Sequence, residues 1–166
     1  MASGETLLIF TPLNNEPPAA AFTTFDTRNL HPVLDFDADS DEEAVFSAIL
    51  PRRYGGGGLT VTCYWAFTSA TSGLISTEAQ IERIDTGSLD LDADSFAAIQ
   101  AAGGTAPGTS GQTVAINILF TAGAQMDSLA AGEPFRLKIR RDANGTSATD
   151  SATGDAELVA VEVKET

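Results

Sequence analysis

Side chains suited to catalysis at neutral pH are scarce in this chain. Its 166 residues include one histidine and one cysteine. His31 precedes a proline in a turn-like segment, and Cys63 lies in an apolar strand pattern with no base near it in sequence. The sequence also has no G-x-S-x-G nucleophile elbow, no P-loop and no dinucleotide-binding glycine pattern. It therefore predicts a protein that is not an enzyme and that binds no cofactor.

Basic residues are also few. Nine lysines and arginines stand against 23 aspartates and glutamates, for a net charge of −14. Binding of nucleic acid or of anionic lipid needs basic side chains that replace counterions, so we expect neither partner. The acidity has two interpretations that the sequence leaves open: solubility of the chain, or charge complementarity to a basic partner surface.

Long hydrophobic runs, a basic leader and paired cysteines are missing too. No stretch approaches the roughly 20 apolar residues of a membrane span, and residues 1–5 (MASGE) contain no basic residue. A lone cysteine cannot form a disulfide within the chain. We expect folding in a cytoplasm, with residues 1–20 as an arm or first strand and residues 21–166 as one domain.

What the sequence does contain is short segments that alternate with period two. In residues 59–68 (LTVTCYWAFT) the odd-numbered positions are apolar, including Cys63 and Trp65, and the even-numbered ones are mostly polar. In residues 134–141 (PFRLKIRR), Phe135, Leu137 and Ile139 are predicted to point inward. Such alternation is typical of strands with one buried and one solvated face.

Further segments complete an all-β prediction. Strands are expected at residues 6–11, 22–25, 31–36, 44–50, 74–84, 113–121 and 157–164, the last with Val159, Val161 and Val163 on one face. A short helix is expected at 94–102 and a helical turn at 125–131. About eight short strands joined by turns predict a jelly-roll-like sandwich of two sheets, with an up-and-down barrel as the alternative.

Closely spaced aspartates form a candidate metal site. Four aspartates are spaced two residues apart, and carboxylates at this spacing could hold Ca²⁺: Asp35, Asp37, Asp39 and Asp41. An EF-hand loop that began at Asp37 would need glycine where Glu42 stands and glutamate where Ala48 stands. We therefore interpret the cluster as solvated turns and predict no metal. A glycosidase built on an acidic pair stays an open alternative.

Candidate interaction residues fall into two groups. Tyr54 and Tyr64 are expected at the surface. Exposed aromatic rings are typical of β-sandwich proteins that bind carbohydrate, so both residues are candidates for such binding. Arg136, Lys138 and Arg140, with Arg141 beside them, form a basic stripe on one predicted strand. The stripe is either an ordinary solvated face or a docking face for an acidic surface, such as residues 37–43 of a neighbouring copy.

Several stretches together resemble a group of small proteins from the structural modules of tailed phages and prophages. They are HPVLDFD at 31–37, AVFS at 44–47 with LP at 50–51, GGLTVT at 57–62, SATSG at 69–73, AGAQMDSLAAG at 122–132, GDAEL at 154–158 and VEV at 161–163. The resemblance spans residues 30–166 and departs from the pattern at 74–77 (LIST). None of these motifs is catalytic.

The resemblance implies a jelly-roll protein of the virion. The role that it implies is a capsid cement, or decoration, protein on the capsid surface, which binds the major capsid protein lattice as a homotrimer. Residues 1–20 and 86–112 would then serve as arms that order on the partner. The alternative is a carbohydrate- or receptor-binding module of a phage fibre or baseplate.

Overall fold

A computed structural model describes residues 4–166, and within that range ten strands form two antiparallel sheets. The strands are β1 (Thr6–Phe10), β2 (Thr24–Arg28), β3 (His31–Phe36), β4 (Glu42–Ile49), β5 (Leu59–Phe67), β6 (Leu74–Arg83), β7 (Gln100–Thr105), β8 (Val114–Phe120), β9 (Pro134–Arg141) and β10 (Ala156–Glu165). Two short 3-10 helices occupy Pro12–Asn14 and Ala124–Met126. No helix in the described range is long and apolar enough to cross a membrane.

The strand order confirms the predicted two-sheet sandwich of jelly-roll type. The six-stranded sheet has the order β2-β3-β10-β5-β8, with β1 paired to the second half of β10. The four-stranded sheet has the order β4-β9-β6-β7. Because β10 lies between β3 and β5, strands distant in sequence are neighbours, which an up-and-down barrel does not allow.

The core lies between the two sheets and is built by the alternating segments. Trp65 of β5 is fully buried and packs edge-to-face on Phe36 of β3, with ring centroids 4.9 Å apart. Phe10 and Phe46 stack at 5.2 Å. The inward set predicted for β9, including Leu137, is buried. Aromatic pairs of this kind stabilise a core beyond the area that they bury.

The outer face of β5 is less solvated than the alternation predicts. Thr60, Thr62 and Ala66 lie on that face and are at most 5% exposed. β5 is flanked by β10 and β8, whose longer outward side chains shield it, and Thr62 donates a hydrogen bond to Asn117 of β8 at 2.8 Å. The outer face of a strand in the interior of a sheet is therefore shielded from solvent by the side chains of the neighbouring strands.

The prediction for the last strand was wrong at one residue. The pairing of β10 with β5 shifts between Leu158 and Ala160, so Val159 is the extra residue of a β-bulge. Val161 and Val163 point into the core as expected, whereas Val159 is half-buried on the outer face. The bulge changes the phase of the alternation, which a strict period of two cannot anticipate.

The predicted helix at 94–102 is also absent. Residues 94–99 have no regular structure, and the following residues form β7, which pairs with β6. Ala97 donates its N–H to the Ile81 carbonyl at 2.9 Å, which places the chain beside β6 before β7 begins. A Cβ atom on Gly104 would lie 2.9 Å from Ile116 of the other sheet, so the small residues of β7 permit a close approach. Sheet pairing outweighs local helix propensity here.

The first twenty residues do not form a free arm where they are described. β1 pairs with β10, and its Leu7 and Phe10 are buried in the core. The chain then follows the edge of β4: Glu16 donates its N–H to the Val45 carbonyl at 2.7 Å. Of the two alternatives for the N-terminal segment, the structure shows a first strand; residues 1–3 lie outside the described range.

Candidate functional site

The basic stripe of β9 is neutralised by acidic residues of the same chain. Arg136 pairs with Glu82 and Arg140 with Glu78, both at 2.5 Å, and these two glutamate side chains are almost fully buried. Lys138 lies 3.2 Å from Glu43. The acidic turn expected to pair with a neighbouring copy thus contributes to ion pairs within its own chain.

Phe96 covers part of this stripe. Its ring centroid lies 5.0 Å from the Arg136 guanidinium carbon and 4.7 Å from Lys138 Nζ, within the range of cation–π contacts. Phe96, from the irregular segment before β7, therefore packs on the outer face of the four-stranded sheet. Docking of a partner on this face stays a prediction, and the structure shows that its charges already have partners.

Arg141 differs from the rest of the stripe because it points inward. Its side chain is fully buried, pairs with Asp150 at 2.9 Å and donates further hydrogen bonds to the carbonyls of Phe36, Ala152 and Gly154. Grouping Arg141 with the basic stripe was wrong; the period-two pattern of β9, extended to residue 141, is the signal that points it inward. Arg141 fastens the loop 142–155 to the end of the sandwich.

Asp142 organises the other half of that loop. Its buried carboxylate accepts hydrogen bonds from Ser76, Thr146 and Ser147. Burial by itself raises the pKa of Asp142, but the bonds from Ser147, Thr146 and Ser76 together outweigh it and leave the pKa below its usual range. The cluster around Arg141 and Asp142 is thus a structural anchor of the loop.

The two candidate tyrosines differ in their exposure to solvent. Tyr54, expected at the surface, is 8% exposed, and its hydroxyl donates a hydrogen bond to the Gly57 carbonyl. It fixes the four-glycine turn, and its exposure was predicted wrongly because the turn folds back over the ring. Tyr64 is half-buried on the outer face of the six-stranded sheet, with its hydroxyl 3.5 Å from Glu162.

Several acidic residues surround Asp35 on β3. Burial, followed by the charges of Glu157, Asp26, Asp155 and Glu42, raises the pKa of Asp35 to about 6. Its Oδ1 atom is buried and has no hydrogen-bond partner. Within residues 4–166, no three acidic, histidine or cysteine side chains are arranged to hold one metal ion. The Asp35 carboxylate is therefore a destabilising charge at neutral pH.

We expect Asp35→Asn to stabilise the fold at pH 7.5 by about 1 kcal/mol, after allowance for solvent screening. The folded pKa of about 6 lies above the ordinary value of 3.8, so stability is lost as pH rises through this window. Urea unfolding at pH 7.5 and pH 3.5 measures the effect. The gain should largely vanish at pH 3.5, where the folded-state carboxyl is protonated and the unfolded-state carboxyl mostly so; an equal gain at both pH values would contradict this explanation.

A cleft lies on the outer face of the six-stranded sheet beside the turn between β2 and β3. We call it the hairpin cleft. Its volume is about 410 Å³. It is lined by Arg28, Asn29, His31, Val33, Ala66, Gly111, Thr113 and Val159.

Local backbone features shape this cleft. Asn29 and Leu30 have φ angles of 46° and 68°, typical of a two-residue hairpin turn of type I′, and this turn sets Asn29 and His31 at the cleft rim. Arg28 reaches across the sheet to Glu157 and to the Phe67 carbonyl. Gly111, at a φ of 86°, lies against the Arg28 guanidinium, where a Cβ atom would come within 3.1 Å.

The cleft combines an apolar floor with polar groups at its rim. Val33, Ala66 and Val159 supply the floor, and the bulge in β10 is what turns Val159 toward it. An imidazole, an amide and a hydroxyl surround the floor, and Tyr64 is two residues from Ala66 on the same face of β5. Sequence reasoning placed His31 in a turn and missed the cleft, because its lining comes from four separate stretches of the chain.

The chain matches no protein-family model and no curated protein. Its fold is similar to that of solved carbohydrate-binding modules. A xylan-binding domain, CBM22-1 of Paenibacillus barcinonensis Xyn10C, is 11% identical with a TM-score of 0.54, over 99% of this chain and 97% of that one. The CBM22-2 domain of the same enzyme is 13% identical with a TM-score of 0.51, over 92% of each chain.

A third similar structure is CBM6cm-2 of Cellvibrio mixtus lichenase 5A, in complex with cellotriose. It is 10% identical with a TM-score of 0.51, over 98% of this chain and 99% of that one. At such low identity the likeness concerns the fold, and function has to be argued from the site. The chain is thus a jelly-roll β-sandwich of the architecture found in these modules.

Proposed function

We propose that this chain is a carbohydrate-binding β-sandwich module that holds its ligand in the hairpin cleft. The observation that carries the proposal is the combination of apolar floor and polar rim in a cleft of about 410 Å³. Sugar rings present apolar C–H faces and a periphery of hydroxyls. They therefore fit a site with an apolar base and hydrogen-bonding groups around it. Binding needs no chemical step, in keeping with the prediction that the chain is not an enzyme.

The rim groups can both donate hydrogen bonds to sugar hydroxyls and accept hydrogen bonds from them. The Asn29 amide and the Thr113 hydroxyl each donate and accept hydrogen bonds, and His31 does the same while neutral. Arg28 is held by Glu157, so its guanidinium is positioned before a ligand arrives. The floor consists of aliphatic side chains, and Tyr64 is the aromatic ring close to it. We expect weak affinity, with dissociation constants on the order of 1 mM.

The test is NMR titration of the isotope-labelled chain with soluble xylo-, cello- and mixed-linked gluco-oligosaccharides. We expect at least one series to shift the amide signals of Asn29, His31 and Gly111 in a saturable way. His31→Ala and Thr113→Ala should each weaken binding by about fivefold, because each removes a hydrogen bond to the ligand. Tyr64→Ala should weaken the longer oligosaccharides most.

Two control variants make the result specific. Thr105→Ala changes an exposed threonine on β7 of the other sheet and should leave affinity unchanged. Tyr54→Ala removes a buried ring and should lower stability instead of acting on the ligand contact. Absence of saturable shifts with every oligosaccharide at 10-fold the expected dissociation constant would refute the proposal.

The capsid cement role stays a separate hypothesis. It rests on the resemblance of residues 30–166 to phage structural proteins and on the acidic surface, with a net charge of −14. It requires a homotrimer that binds the major capsid protein at the virion surface. Detection of the protein in purified virions would support it. A monomer that is absent from virions would exclude it.

A further inference from the structure

We propose that β2 is a docking edge for an extended strand of a partner protein whose side chains alternate between basic and apolar. This interaction surface lies beside the hairpin cleft and is independent of sugar binding. Three observations carry it: the free backbone edge of β2, an apolar groove along one side of that edge, and an acidic surface along the other.

The backbone edge of β2 is open to solvent. The strand pairs with β3 on one side, and no other strand of the described residues pairs with it. Arg28 opposite His31 closes a two-residue hairpin, so the N–H and C=O groups of the alternate residues Phe25 and Thr27 point away from β3. Pro32 stands opposite Thr27, in a pair that exchanges no backbone hydrogen bonds. Its lack of an N–H therefore costs no hydrogen bond between β2 and β3.

The apolar groove runs between β2 and the segment that follows β1. Its volume is about 400 Å³. Phe22 and Phe25 line it and are 53% and 50% exposed, and Leu13 is 72% exposed. Phe25 pairs with the buried Leu34, so this groove continues the core side of the six-stranded sheet beyond the edge of the sandwich. Adjacent large exposed apolar groups of this kind mark interaction surfaces.

The opposite face of the same edge is acidic. Asp26 and Asp35 lie on it, and Glu42 and Asp155 line a small cavity with Asp35. Arg28, the basic residue of β2, is already paired with Glu157. The buried Oδ1 atom of Asp35 has no hydrogen-bond partner. A cation placed here would relieve the repulsion among these carboxylates.

These two faces together define the partner. A strand added to β2 places successive side chains on opposite faces. One set would enter the apolar groove beside Phe25, and the other would face Asp26 and Asp35. A segment that alternates basic and apolar residues satisfies both faces. Its backbone can pair with Phe25 and with the Thr27 carbonyl, and it would replace the Asp26 carboxylate as the partner of the Thr27 N–H.

The first experiment compares the binding of synthetic peptides to the 166-residue chain at 0.15 M salt. The probe is an octapeptide in which arginine and valine alternate. Its controls are a block peptide of the same composition and an alternating glutamate–valine peptide. We expect the alternating basic peptide to bind at least about tenfold more tightly than either control in fluorescence anisotropy, because it alone matches both faces. Amide hydrogen exchange should slow at Phe25.

Thr27→Pro tests the backbone edge without a change of charge. Its N–H faces solvent and is bonded to the Asp26 carboxylate at 2.7 Å, and proline is tolerated at such an edge position. We expect it to abolish the preference for the alternating peptide. The double variant D26N/D35N keeps the edge and should weaken the basic peptide by about tenfold. It stays informative if the proline variant fails to fold.

Leu119→Ala is the matched control, since Leu119 is 62% exposed on β8 at the opposite end of the same sheet. It should leave peptide binding unchanged. Equal binding of the alternating and block peptides that survives Thr27→Pro would show charge attraction alone and overturn the proposal. Concentration-dependent dimers that Thr27→Pro abolishes, without peptide binding, would identify a second copy as the occupant and overturn it as well.

Discussion

Arg141→Met should destabilise the fold by about 3–5 kcal/mol, as expected when one partner of a buried ion pair is removed. The Arg141 and Asp150 side chains are 0% and 2% exposed. Methionine fills a similar volume but leaves the Asp150 carboxylate buried without its cation. It also leaves the carbonyls of Ala152 and Gly154 without their donor.

Chemical unfolding followed by the fluorescence of Trp65 measures this loss. For a chain of this length, a loss of this size lowers the melting temperature by on the order of 10 °C. The matched control is Arg53→Met, because Arg53 forms an ion pair with Glu5 in which the side chains are 52% and 42% exposed. We expect the control to cost less than about 1 kcal/mol. Similar losses for both variants would contradict the structural role given to Arg141.

Arg141→Met should also loosen the loop 142–155 before the whole molecule unfolds. The guanidinium connects β9 to the carbonyls of that loop, while Asp142 holds its first residues from the other side. Limited proteolysis should therefore cut between residues 143 and 155 in the variant more rapidly than in the parent chain. Unchanged cleavage would show that Asp142 alone is enough to hold the loop.

Trp65→Ala should cost about 3–5 kcal/mol, because it opens a large cavity at the centre of the core. Trp65 is fully buried, and its edge-to-face contact with Phe36 connects β5 to β3 across β10. Circular dichroism during urea unfolding measures the effect, since the variant has no tryptophan fluorescence.

Trp65→Phe is the comparison that separates packing from polarity. The indole Nε1 atom is buried without a hydrogen-bond partner, so phenylalanine removes an unsatisfied donor while keeping most of the aromatic contact. We expect a loss below about half of that for alanine. Equal losses for the two variants would show that the indole nitrogen makes a stabilising contact after all.

The hairpin cleft and the β2 edge could not be derived from local patterns. The strand at residues 31–36 was predicted with its bounds, but whether His31 faces a cleft depends on β5, β10 and the loop before β8. The bulge that turns Val159 toward the cleft depends on the pairing of β10 with β5. The alternating pattern of β9 predicts a solvated basic stripe. In the structure Phe96, from the segment predicted as a helix, lies over part of it.

The sequence by itself determined the all-β class, the inward residues of β5 and β9, and the acidic surface. These follow from a period of two and from composition, which are local properties. Only the tertiary structure decided that β10 lies between β3 and β5, that β7 replaces a helix and that Arg141 anchors a loop. The physical reason is that strand pairing and burial join residues far apart in the chain, and their free energy outweighs local propensity wherever the two disagree.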